Sequence, residues 1–84
     1  MIDFLEHVKS KIKSQLNPEK ILVIDNTYLH KKHKSFQEGR FHLKLILESS
    51  KLKGMPKIES NRIIFSILKE ELESKIPSLQ IEIK

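Results

Sequence analysis

The stretch Phe41-His42-Leu43-Lys44-Leu45-Ile46-Leu47-Glu48 decides how this chain is read. Phe41, Leu43, Leu45 and Leu47 alternate with His42, Lys44, Ile46 and Glu48, and successive side chains of a strand point to opposite faces. The spacing predicts a strand over residues 40–48, with one face on a core and the other mainly polar. Upstream, Ile21-Leu22-Val23-Ile24 is short, aliphatic and partly β-branched, which predicts another strand over residues 20–27. Residues 28–39 between them form a long polar connection ending in Gly39. Connections of that length in a small domain are functional or mobile.

Working outward, Leu5, Val8, Ile12 and Leu16 recur at spacings of three and four, which predicts a helix over residues 3–16. Asp3 and Glu6 have the spacing of a capping box, and Asn17-Pro18 ends the segment because a proline disfavours helical geometry in the residue before it. On the other side, Ser49 to Pro56 reads as a loop, punctuated by Gly54 and Pro56. Ile63, Ile64, Ile67, Leu68 and Leu72 then make the apolar stripe of a helix over residues 58–75. Pro77 marks its exit, and Leu79, Ile81 and Ile83 alternate in a last strand. The order α-β-β-α-β implies an α/β (α+β) class, with a three-stranded mixed sheet and both helices packed against it. Leu5, Val8, Ile12, Leu43, Leu45, Ile64, Leu68, Leu72 and Ile81 are the expected core.

The chain has 84 residues, which suits one domain over residues 1–84, and no internal repeat or linker divides it. It has no cysteine, so disulfides and thiol chemistry are excluded. The formal net charge is +5 and the pI about 9.6, a balance that favours acidic partners, nucleic acid or anionic surfaces without choosing among them. The longest aliphatic run, Ile21 to Ile24, is far too short to span a bilayer. With no secretory signal read at the N-terminus, the expected compartment is the cytoplasm and no membrane partner is expected. No cysteine nucleophile, Gly-rich phosphate loop or HExxH helix is present, so no catalytic residue is assigned.

Asp25-Asn26-Thr27-Tyr28-Leu29-His30-Lys31-Lys32-His33, with its Asp, a hydroxyl residue two on and then histidines, resembles the loop pattern of the BolA-like family. His42 falls where the family has a histidine at the start of the second strand, and Leu52-Lys53-Gly54 resembles its Phe-x-Gly turn. The run from Ser60-Asn61-Arg62 to Glu70-Glu71-Leu72 is similar to its Arg-His-Arg helix, and Ile76-Pro77-Ser78-Leu79 to its Ile-His-Ala-Leu. The resemblance implies a class II KH-like fold, α-β-β-α-β with a short extra helical turn. It also implies an adaptor that binds a monothiol glutaredoxin, can share a 2Fe-2S cluster with it, and serves iron–sulfur or iron handling. A KH-like, DNA-binding transcriptional regulator is the alternative, and a homodimer is a further expected association. No cofactor is expected on this chain alone.

Two positions depart from the family pattern: its helix histidine is Asn61 here, and the histidine before its last strand is Pro77. An amide is a poor substitute for imidazole at an iron–sulfur site. His30 and His33 are therefore the expected metal ligands. By spacing alone they also read as two solvated loop histidines among Lys31, Lys32 and Lys34, because a histidine pair without cysteine is a weak metal signal. Asn61 and Arg62 are the expected partner-binding residues. Lys31, Lys32 and Lys57 are the expected nucleic-acid contacts, with Lys51, Lys53 and Arg62 nearby in sequence. The Gly-x-x-Gly clamp of KH domains is absent, since Gly54-Met55-Pro56-Lys57 ends in lysine. His7, His42, Glu70 and Glu71 read as ordinary surface residues.

Overall fold

The computed structural model describes residues 3–27 and 41–84. The connection read at residues 28–39 lies outside them. The elements are α1 (Phe4–Leu16), β1 (Lys20–Asp25), β2 (His42–Glu48), α2 (Ser50–Lys53), α3 (Lys57–Ile67), α4 (Lys69–Ser74) and β3 (Ser78–Ile83). The sheet order is β1-β2-β3. β1 runs antiparallel to β2 with Val23 opposite Leu45, and β3 runs parallel to β2 with Leu45 opposite Ile81. The mixed sheet expected from the sequence is therefore present, with the alternating strand at its centre.

That position explains its pattern. Leu43, Leu45 and Leu47 are at most 2% exposed, and with Val8, Ile12, Leu52, Ile64, Leu68 and Ile76 they form the buried core. Leu5, Leu72 and Ile81, also expected there, are partly buried and pack against it. Leu52 enters the core from the short helix α2 and Ile76 from a helix exit, where no periodicity marks them. The other face of the sheet carries Leu22, Ile24, Lys44 and Ile46, of which Leu22 is exposed.

Local chemistry sets the boundaries. The Asp3 carboxylate accepts from the Glu6 amide at 2.9 Å, as the capping-box spacing implies. Asn17 closes α1 in the left-handed conformation, φ 45°, a geometry that asparagine tolerates better than most residues. The segment read as a loop contains the single turn α2, capped by the Ser49 hydroxyl. Glu19 adds a second acceptor there, receiving the Ser50 amide at 3.0 Å. The helix expected over residues 58–75 is two helices joined at Leu68, whose φ −98°, ψ 18° depart from helical values. Leu68 still donates to the Ile64 carbonyl at 3.0 Å, and Leu72 donates to Leu68 at 2.8 Å. The chain bends there, and these two bonds bridge the junction.

Beyond the bend, Glu71 departs from the surface role read for it. It is only 6% exposed, and its carboxylate meets Lys11 Nζ at 2.9 Å and His7 Nε2 at 2.7 Å. Both partners come from α1, so the cluster clamps α4 to the first helix. Burial alone pushes the Glu71 carboxyl up, but the hydrogen bonds from His7 and Lys11 outweigh it and hold the group below its ordinary value. A depressed folded pKa stabilises the fold above the unfolded-state carboxylate pKa, and that contribution is lost as pH falls through the folded value. Acid titration of thermal stability should accordingly show a loss below the ordinary glutamate range, and Glu71→Gln should flatten it. An unchanged acid limb in that variant would assign the loss to other carboxylates.

Candidate partner-binding site

β1 ends in a side-chain turn. Thr27 donates its amide to Asp25 Oδ1 at 2.9 Å, and its hydroxyl bonds the same oxygen. The Thr27 hydroxyl in turn accepts from the His42 amide at 3.2 Å. The Asp-x-Thr pattern therefore ends the first strand, in place of the strand read through residue 27, and ties it to the start of the second. His42 is half-buried and faces Ser78 across the sheet, so Asp25, Thr27, His42 and the exposed Pro77 share one end of the sheet.

Asn61 sits elsewhere. It lies on α3 and lines a groove of about 450 Å³ beside β3, together with Lys53, Lys57, Lys44 and the run Gln80 to Ile83. Its Oδ1 is buried without a hydrogen-bond partner among the described residues. Lys57 thus joins Asn61, as does Lys53, whereas Arg62 and Lys51 are exposed and outside the groove. Arg62 belongs to a third surface, the outer face of α3. There Ile58 is 68% and Phe65 41% exposed, two of the three exposed large apolar side chains among the described residues. At 100° per residue, Ile58, Arg62 and Phe65 fall within about 60° of arc on that helix. Sequence reading passed over Ile58 and Phe65. Their signal was available as apolar residues off the core stripe of Ile64 and Leu68.

His30, His33, Lys31 and Lys32 lie outside the described residues. Among the described residues no group of three His, Cys, Asp or Glu side chains could hold a metal ion. Two family histidine positions carry an amide and a proline ring, in different places on the fold. Asn61 and Pro77 offer neither of the usual donors of an iron–sulfur cluster, thiolate or imidazole.

Comparison with known proteins identifies this architecture. A family model described as BolA-like protein matches residues 12–84. The chain belongs to the BolA-like family. Its fold superposes on the BolA domain of SufE1 from Arabidopsis thaliana with a TM-score of 0.84 at 25% identity, covering 100% of this chain and 93% of that one. BolA1 from Arabidopsis thaliana gives the same TM-score at 21% identity, again with 100% and 93% covered. An uncharacterized protein of Buchnera aphidicola is 35% identical over 77 residues, covering 92% of this chain and 71% of that protein. SufE-like protein 1, chloroplastic/mitochondrial, of Arabidopsis thaliana is 27% identical over 82 residues, covering 92% of this chain. This BolA-like chain spans only 22% of that relative's length. No described helix is long and apolar enough to cross a membrane.

Proposed function

We propose that this BolA-like chain is an adaptor that binds a monothiol glutaredoxin in the handling of iron or iron–sulfur clusters. Family membership supports the class of function, and the outer face of α3 carries the reading at the level of residues. Exposed apolar side chains flanking an arginine have the composition of a protein-binding surface, where aromatic residues and arginine supply most of the binding energy. The BolA domain of a plant SufE-like protein shares the fold over the whole of this chain, which supports the same setting. The chain holds the partner and performs no reaction in this reading. It acts in a reducing compartment such as the cytoplasm, a setting compatible with its lack of cysteine.

The cluster is the separable part of the proposal, since Asn61 and Pro77 offer no imidazole and His30 and His33 would have to supply it. Anaerobic co-purification with a monothiol glutaredoxin, with iron and sulfide quantified, tests both parts. A stable complex supports the adaptor, and iron and sulfide in it support the shared cluster. Failure of any monothiol glutaredoxin to bind overturns the adaptor reading.

DNA binding is the alternative, and the Gly54-Met55-Pro56-Lys57 segment beside the groove lacks the second glycine of a Gly-x-x-Gly clamp. Gly54 closes α2 and Lys57 opens α3. Duplex binding should therefore be weak, insensitive to sequence and steeply reduced by salt, because only phosphate neutralisation drives it. Gel-shift titrations at low and physiological salt check this. Tight, sequence-selective binding that survives added salt would favour the transcriptional reading.

A further inference from the structure

β3 is an edge strand with an open side. Its only partner among the described residues is β2, and its register runs without a bulge from Ser78 opposite His42 to Ile83 opposite Leu47. Such an edge presents a row of unpaired N–H and C=O groups, a template for another strand. Bulges, prolines and covering loops are the usual ways of blunting it. Here a groove follows it instead, with four consecutive β3 residues, Gln80 to Ile83, forming one wall. Lys53 and Lys57 from the α2–α3 junction stand on the other wall, with Lys44 at the sheet side and Glu82 the only carboxylate that the described residues bring to the lining. Leu52 and Met55 provide apolar floor between the lysines and the strand.

We propose that this groove binds an extended acidic peptide segment by strand addition to the outer edge of β3. Backbone hydrogen bonds along the edge supply the affinity, and alternate side chains of the added strand reach the two sides of the groove. The charge balance, three lysines against one glutamate, selects carboxylate-bearing residues. Among the described residues the lining contains no aromatic ring on which a base could stack, and base stacking is a principal term in single-strand recognition. The groove adjoins the outer face of α3 used by the proposed glutaredoxin contact but is lined by other residues, so substitutions at Lys53 and Lys57 and at Ile58 and Phe65 test the two readings separately.

The test uses the full chain and a fluorescein-labelled peptide of alternating Glu and Val. Three further probes accompany it: the same peptide N-methylated at alternate residues, its Lys-for-Glu counterpart and a single-stranded oligonucleotide. The acidic peptide should bind with an affinity that falls as salt rises, and its backbone amides should shift the amide resonances of Gln80 to Ile83. N-methylation removes the donors of one edge and should abolish binding without touching the protein. The double variant Lys53→Glu/Lys57→Glu, at two exposed positions, should weaken binding by about tenfold or more. Circular dichroism of that variant confirms that the fold is retained. Equal binding of the N-methylated or basic peptide, preferential binding of the oligonucleotide, or resonance shifts confined to other surfaces would each overturn the proposal.

Discussion

Replacing Leu68 by alanine should destabilise the fold by about 2–5 kcal/mol, the range for emptying a fully packed leucine site. Leu68 is 0% exposed and stands at the bend between α3 and α4, where its backbone both donates to Ile64 and accepts from Leu72. Both terms of a cavity substitution apply. The lost methyl and methylene groups forfeit their transfer free energy, and a void remains unless the helices collapse into it. Collapse is opposed from two sides. The central strand presents Leu43, Leu45 and Leu47, all buried, and the Glu71 clamp to His7 and Lys11 holds α4 against α1. An 84-residue domain has only a small margin of stability, so a cost of this size removes a large part of it. Chemical denaturation should show a lower midpoint at unchanged slope. A midpoint equal to the parent's would mean that Leu68 does not sit in a packed core.

The second large effect concerns binding. Ile58→Ala combined with Phe65→Ala should weaken the glutaredoxin complex by about 2 kcal/mol or more, about thirtyfold in Kd. Both side chains are largely outside the core, at 68% and 41% exposed, and alanine is the best helix former. The variant should therefore fold with a stability within about 0.5 kcal/mol of the parent for each exposed position. That separation makes the measurement readable, because a loss of affinity cannot then be a loss of fold. Isothermal titration against a monothiol glutaredoxin, with thermal denaturation of the free variant as control, decides it. Unchanged affinity in a variant that folds normally would move the contact off the outer face of α3, while leaving the groove beside β3 to its own test.

The two sets of interactions were not equally legible. α1 and β2 were readable because their buried faces repeat at the periods of helix and strand, and each period is a local property of a few consecutive residues. Asp3 and the exit at Asn17 were readable for the same reason, since the Asp3 carboxylate takes the Glu6 amide three residues on and the Asn17 amide closes on the Lys13 carbonyl four residues back, whereas the Asp25–Thr27 turn read as continued strand. The BolA-like pattern was legible as an ordered series of such local signals. The bend at Leu68 was not, because the segment has helix-forming composition throughout and it is packing that turns it.

Glu71 shows where local reading stops. It sits beside Glu70 in a run of good helix formers, and nothing within a turn of it distinguishes the two. Yet it is buried and Glu70 exposed, because its partner Lys11 lies 60 residues away in sequence and His7 lies 64 away. The same holds for Asn61 and Lys57, which meet the edge of β3 only after the sheet has placed that strand parallel to β2. Sequence by itself determined the class, the order of elements and most of the core, since those follow from periodicity and short-range hydrogen bonding. Tertiary structure alone decided which charged groups are paired, which strand edge lies open and which faces remain for a partner, because those depend on contacts between segments that the local pattern does not encode.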